Sequence, residues 1–308
     1  MEAIVYEEFG GPEVLRRAQV EDVHAGPGQI RVAVRAAGVN PVDYKIRNGW
    51  MEAAFPTPLP ATPGSEFAGV VDETGEGVTE FAVGDEVLGR SATGAYAAYV
   101  LADVGAVARK PEGLGWPEAA ALPVATSTAA RVLDELAVSA GETLLVHGAS
   151  GAVGSAAVQL AAARGATVIG TASPANHDYL RVLGAVPVAY GEGLVSRVRE
   201  AAPQGVDAVF DVAGKGALAD SVELRGGTSD RISTIADPDA AHHGVAFSAG
   251  GGSPDEGRRL GEYARSAAVG GLRIPVERTF PLGAAARAQE LSEAGHVRGK
   301  LVLLPGEH

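Results

Sequence analysis

Three glycines carry the strongest chemical signal in this sequence. In "VHGASGAVGSAAVQL", Val146 to Leu160, Gly148, Gly151 and Gly154 lie between an apolar strand pattern, Thr143–Gly148, and a small-residue helix pattern, Ala152–Arg164. A strand–turn–helix of this kind aims backbone N–H groups and the positive end of a helix at one point. Negative charge, typically a pyrophosphate, is favoured there. Gly148, Ala149, Ser150, Gly151, Ala152, Val153 and Gly154 are the candidate phosphate-binding residues. In that role Gly151 lets the ligand approach the backbone and Gly154 lets the helix pack on the strand. Ala149 stands where G-x-G-x-x-G has its first glycine, so the motif alone is weak. The flanking strand and helix, and a second strand "TVIGTA" at Thr167–Ala172, give it weight.

That second strand runs into "GTAS". A site that prefers NAD places Asp or Glu there to bond the ribose 2′-hydroxyl, and no carboxylate occurs before Asp178. Gly170, Thr171, Ala172 and Ser173 leave room and hydroxyls for a 2′-phosphate, so the expected ligand is NADP(H), with Ser173 touching it. His177 or Arg181 would supply the cation, although either also suits a solvated helix position.

The elements that must hold these residues can be read from periodicity. Strand patterns at Thr143–Gly148, Thr167–Ala172, Val186–Tyr190, Asp207–Ala213 and Arg231–Ala236 alternate with helix patterns at Ala152–Arg164, Ala175–Leu183, Leu194–Ala202 and Lys215–Leu224. Such alternation marks a parallel sheet with crossover helices. The first 115 residues differ. Ile30–Val39, Phe67–Thr74 and Ala95–Ala102 are β-prone runs bounded by Gly and Pro, the texture of a compact antiparallel barrel. "PEAAALPVATSTAARVLDEL", from Pro117, is helical in composition, and "RTFPLGAAARAQELSEAGHVRGKLVLLP" reads as strand, helix and strand.

Composition narrows the function. The net charge of -13 disfavours phosphate backbones and anionic lipid, so neither nucleic acid nor membrane is an expected partner. There is no cysteine, which removes disulfides, thiolate nucleophiles and Cys-based zinc sites. "MEAIVYEEFG" is neither a basic nor an apolar leader, and a cytoplasmic location is expected.

Several segments together resemble one family. "VHGASGAVGSAAVQLA" is similar to the cofactor turn of the zinc-free quinone oxidoreductase (zeta-crystallin-like) branch of the medium-chain dehydrogenase/reductase superfamily. "AAGVNPVDYKIRNG", "PGSEFAGVV", "FAVGDEVLG", "AAALPVATSTA" and "GHVRGKLVLL" follow that branch's order across essentially the whole chain. The resemblance implies an α/β protein of two parts. A GroES-like β-barrel domain takes residues 1–115 and 277–308, and a Rossmann domain, a doubly wound parallel sheet that binds NADP(H), takes residues 116–276. Zinc-dependent relatives keep Cys and His ligands where this chain has Asn40 and Ser65, so no catalytic metal is expected.

The same resemblance implies site roles. Asn40, Tyr44 and Lys45 in "NPVDYK" are the candidate catalytic residues. Asn40 would hold the nicotinamide ribose or the substrate oxygen, and Asp43 would orient its neighbours. Lys45 would bond an enolate or the cofactor ribose, or else be a solvated helix residue. Thr128 would contact the nicotinamide amide, or cap a helix. Tyr190 would lie near the adenosine phosphate, Ala213 near the adenosine, and Lys300 would reach the cofactor or serve structure. Trp50, Met51 and Phe55 are candidate walls of the substrate pocket, with core packing as the plain alternative. The implied reaction is NADPH-dependent hydride transfer to a quinone or an α,β-unsaturated carbonyl, a small-molecule partner. The alternatives are a biosynthetic enoyl reductase for one natural-product intermediate, or a non-catalytic NADPH-binding protein. A homodimer is expected, with "HGVAFSAG", His243–Gly250, as its edge strand.

Overall fold

A computed structural model describes residues 1–53, 56–250 and 255–306; Phe55 lies outside them. The chain forms two compact units: residues 1–124 with 252–308, and residues 125–251. The divisions fall later than the 115 and before the 277 expected from sequence. The reason is local: residues 116–124 pack on the first unit's strands, and so does a helix at Glu256–Ala268.

The first unit opens with a two-stranded antiparallel pair, β1 (Glu2–Val5) and β2 (Arg16–Gln19). Its main sheet begins with β3 (Gln29–Val39), followed by α1 (Pro41–Arg47), β4 (Glu66–Thr74), β5 (Glu86–Arg90), β6 (Tyr99–Asp103) and β7 (Val107–Arg109). Strand β3 is long enough to serve two partners on one edge: Gln29–Ala33 pair with β6, and Ala37–Val39 are left for a strand from the far end of the chain. Alternate β3 residues Ile30, Val32 and Val34 are buried in one cluster with Phe67, Val87, Tyr96 and Val100, as period-two patterning requires. The helical run after Gly115 is split into α2 (Trp116–Ala120) and α3 (Pro123–Glu135), because Pro123 restarts the helix.

The second unit holds β8 (Thr143–His147), α4 (Ala152–Ala163), β9 (Thr167–Ala172), α5 (His177–Val182), β10 (Ala185–Ala189), α6 (Leu194–Ala201), β11 (Ala208–Asp211), α7 (Leu218–Leu224), β12 (Ile232–Thr234) and β13 (Ala246–Phe247). The six strands are all parallel, in the order β10-β9-β8-β11-β12-β13. Strand order reverses between β8 and β11. In open parallel sheets that reversal opens a crevice at the carboxyl ends of the strands.

The chain then returns to the first unit with α8 (Glu256–Ala268), β14 (Val276–Pro281), α9 (Ala285–Ala294) and β15 (Lys300–Leu304). Strand β15 takes the vacant end of β3, Leu301 opposite Val39, and β14 runs parallel to β15. Helix α8 buries Gly257, Leu260, Gly261 and Ala264 along one face, a helical spacing passed over in the sequence. Two glycines dilute its signal, and one explains its packing: a Cβ at Gly257 would sit 2.6 Å from the carbonyl oxygen of Val107.

Candidate active site

In the second unit the glycine turn stands at the carboxyl end of the central strand. Gly148 has φ +74°, and a Cβ there would meet Ala213 at 3.2 Å, so Ala213 borders the turn. Gly151 is the N-cap of α4 and supplies no side-chain cap. The first-turn N–H groups of Ala152, Val153 and Gly154 have no intrahelical acceptor by construction. A Cβ at Gly154 would overlap the carbonyl oxygen of Gly148 and lie 2.7 Å from Ala149 Cα, which makes Gly154 the point where helix meets turn. Open space remains at Gly151, where a Cβ would meet only the Gly148 oxygen at 3.6 Å.

The neighbouring strands bring the other expected residues to the same edge. Register pairs Ala172 with Ala189, so Ser173 and Tyr190 follow side by side. Tyr190 is 58% exposed. "GTAS" offers less than the sequence suggests. A Cβ at Gly170 would lie 2.9 Å from the Ala149 methyl, so that room is filled by packing. Thr171 is buried, and its hydroxyl oxygen accepts from Gly148 N at 3.2 Å. Only Ser173 keeps a hydroxyl toward the edge. Asn176, which sequence reasoning missed, donates from Nδ2 to the hydroxyls of both Ser150 (3.4 Å) and Ser173 (3.3 Å). Of the two candidate cations, Arg181 is paired with Asp178 at 2.6 Å. His177 keeps a buried Nε2 with no partner among the described residues. Arg197, also missed, donates to the carbonyls of Ala189, Tyr190, Gly191 and Glu192 and so fixes the loop that carries Tyr190.

Behind the turn lies His147. Ser221 Oγ donates to Ala217 O, so it accepts from His147 Nε2 at 3.0 Å, and Nδ1 is left to accept from Thr171 at 3.3 Å. That assignment is a neutral imidazole. Burial lowers the His147 pKa, with the carboxylates of Asp211 and Asp220 opposing. Asp211, at the end of β11, accepts from the N–H groups of Ala213 and Gly214 and from Thr234 Oγ1 at 2.7 Å, and so shapes the loop against the glycine turn.

In the first unit Asn40 is the N-cap of α1, and its own N–H donates to Asp43 Oδ2 at 2.8 Å. Tyr96 donates to the same oxygen at 2.8 Å. Burial raises the Asp43 pKa to about 6, against the lowering effect of those bonds and of Lys300. The Asn40 side chain is held at both ends. Lys300 Nζ donates to Oδ1 at 2.6 Å, and Nδ2 donates to Glu66 Oε1 at 2.7 Å. Lys300 and Glu66 also form an ion pair. Glu66 Oε2 accepts from the N–H of Val124, in the first turn of α3. Tyr44 and Lys45 are half-buried on α1. Burial raises the Tyr44 pKa, with Glu293 adding to it, and Tyr44 lies edge-on to exposed Trp50 at 6.2 Å. Thr128 is half-buried within α3, not at its start, so it is no N-cap. Lys300, expected either to reach the cofactor or to serve structure, is 2% exposed and bonded to Asn40 and Glu66. Among the described residues no three His, Cys, Asp or Glu side chains form a group that could hold a metal ion.

Comparison with known proteins agrees with this architecture. Residues 26–112 match the alcohol dehydrogenase GroES-like domain family, and residues 183–303 match the zinc-binding dehydrogenase family. The Streptomyces venezuelae pikromycin polyketide synthase component PikAII is 51% identical over 160 residues, 52% of this chain and 4% of that protein. Human quinone oxidoreductase is 43% identical over 175 residues, 56% of this chain and 53% of that protein. The match thus spans about half the length of the human protein and a small part of the synthase. Among solved structures, the quinone oxidoreductase of Coxiella burnetii superposes with TM-score 0.85 at 31% identity, covering 99% of each chain. The Escherichia coli quinone oxidoreductase complexed with NADPH gives 0.85 at 26%, covering 99% of this chain and 100% of that one. The chain belongs to the medium-chain dehydrogenase/reductase superfamily, in its quinone oxidoreductase branch.

Proposed function

We propose that this chain is an NADPH-dependent, zinc-independent oxidoreductase that delivers a hydride to a quinone or an α,β-unsaturated carbonyl. The observation that carries the reading is the edge of the second unit's sheet. An uncapped helix N-terminus at Gly151 stands beside a strand that ends in a serine hydroxyl rather than a carboxylate. The solved Escherichia coli relative in complex with NADPH supports the choice of cofactor. In this proposal Gly148–Gly154 receive the pyrophosphate through backbone N–H groups. Ser150 and Ser173, aligned by Asn176, receive the 2′-phosphate together with His177. Tyr190 and Ala213 border the adenosine, and Thr128 serves the nicotinamide.

NADPH supplies the hydride when bound. The chain's own task is to orient the acceptor and to stabilise the charge that develops on its oxygen. Asn40, Tyr44 and Lys45 are the donors proposed for that oxygen. The Tyr44 hydroxyl is protonated at neutral pH even at the ordinary tyrosine value, and burial raises its pKa further, so it is available as a donor. Asn40 and Ser65 are poor zinc ligands, and donors of this kind replace a Lewis acid. The enzyme is proposed to be a cytoplasmic homodimer that pairs through the exposed β13 edge. A second reading, a biosynthetic enoyl reductase, is favoured by the 51% identity to a polyketide synthase component.

Fluorescence titration with NADPH and NADH, repeated on Ser173→Asp, tests the proposal. Tighter binding of NADPH, lost in the variant, is expected, followed by NADPH oxidation with 1,4-benzoquinone or methyl vinyl ketone. Equal or tighter binding of NADH overturns the cofactor assignment. Turnover of an enoyl thioester alone selects the second reading.

A further inference from the structure

The buried contacts of Asn40 fix which way its amide faces. A Lys ammonium can only donate and an ionised carboxylate can only accept. The Asn40 atom bonded to Lys300 at 2.6 Å is therefore Oδ1, and the atom bonded to Glu66 at 2.7 Å is Nδ2. Turning the amide over would set NH2 against the ammonium and oxygen against the carboxylate. Glu66 and Lys300 are 0% and 2% exposed, so water does not relax the constraint. The pair is itself anchored. Glu66 Oε2 takes the N–H of Val124 at 2.8 Å, and Gly38, with no Cβ, leaves the space the Glu66 carboxylate occupies. Nδ2 has two hydrogens and Glu66 uses one.

We propose that Lys300 and Glu66 are positioning residues that lock the Asn40 amide, so that Asn40 meets the acceptor oxygen as a donor through its second Nδ2–H, and that Lys300 does not contact the cofactor. The inference rests on the proposed reductase reaction. Lys300, from β15, and Glu66, from β4, both bond the Asn40 side chain, and each acts through it.

The test compares wild type with the uncharged double variant Lys300→Met/Glu66→Gln and with Lys300→Arg. NADPH binding is read by fluorescence, and kcat and KM by turnover of 1,4-benzoquinone and methyl vinyl ketone. In the double variant kcat should fall by about tenfold or more, while KM and the NADPH Kd stay within about threefold. Lys300→Arg, which keeps a charged N–H donor for Asn40 Oδ1 in a larger side chain, should retain a higher kcat than the double variant. An NADPH Kd weakened about tenfold with kcat unchanged makes Lys300 a cofactor ligand and overturns the proposal. So does an unchanged kcat in the double variant, or a Lys300→Arg as impaired as the double variant. If the double variant does not fold, proton exchange at the Asn40 side-chain amide of the wild type decides by NMR. One protected and one exchanging Nδ2 hydrogen supports the lock, and equal exchange of both overturns it. A wild type that oxidises NADPH with neither acceptor overturns the proposed function itself, and the exchange pattern then reports on the lock alone.

Discussion

The two units build their candidate sites from opposite materials. The first uses charged side chains, Lys300, Glu66 and Asp43, buried and bonded to one another. The second uses backbone N–H groups, small residues and a neutral imidazole, with His147 held between Thr171 and Ser221. A charged network tolerates no missing member, because the survivor is left unpaired in a dry interior. A backbone cradle tolerates changes of side-chain chemistry but not of side-chain size.

The sharpest break in that comparison is Lys300→Met alone. It strands Glu66, and unfolding free energy should drop by roughly 3–5 kcal/mol, whereas the double change with Glu66→Gln should recover most of it. Denaturant titration of the single and double variants separates the two, and equal losses would mean that the ion pair is not the structural unit. Next is Gly154→Ala, which attacks the cradle through size. The added methyl must displace Gly148 or Ala149. A loss of about 1–3 kcal/mol is expected, with weaker NADPH binding than the stability loss alone explains, read by melting and titration together.

The remaining two predictions concern pH, and they run in opposite directions. The Asp43 carboxyl, raised from 3.8 to about 6, contributes stability that is full below 3.8 and lost as pH rises through about 6. Asp43→Asn should therefore gain on wild type between those values, by up to about 3 kcal/mol in total. A constant difference in Tm between the two proteins across that range would refute it. His147 is neutral when folded, with its pKa below the usual 6.5. Its contribution is full above 6.5 and is lost as pH falls below that value. His147→Gln should flatten the acid limb of the stability profile, again measured by melting temperature against pH.

How much could be read from sequence follows the same divide. Gly148, Gly151 and Gly154 are legible because their spacing is local and the strand and helix that flank them are periodic. The Asn40–Glu66–Lys300 cluster is not, since its members lie 26 and 260 residues apart and nothing local marks their meeting. Asn40 and Lys300 were expected at the site only through the family likeness, and Glu66 was not. In "GTAS" the serine and the missing carboxylate carry the NADP(H) reading, while the room expected at Gly170 and Thr171 is taken up for a physical reason. A central parallel strand is covered on both faces, so Gly170 and Thr171 go to packing and to the Gly148 N–H rather than to a ligand. Asn176 and Arg197 carry no motif, because each works through backbone or hydroxyl groups that only the folded loops bring close. The helix α8 is missed because Gly257, which allows it to approach Val107, is also a poor helix former.

The 260-residue span between Asn40 and Lys300 also bears on synthesis. Residues 125–251 are contiguous, so the second unit has all its strands once that stretch has left the ribosome. The first unit does not. Its longest strand, β3, has one end unpaired and Glu66 uncompensated until β15, translated after the whole of the second unit, is added beside it. Domains generally fold as units during synthesis, and here the order of completion is the reverse of the order of translation: the unit begun first is finished last.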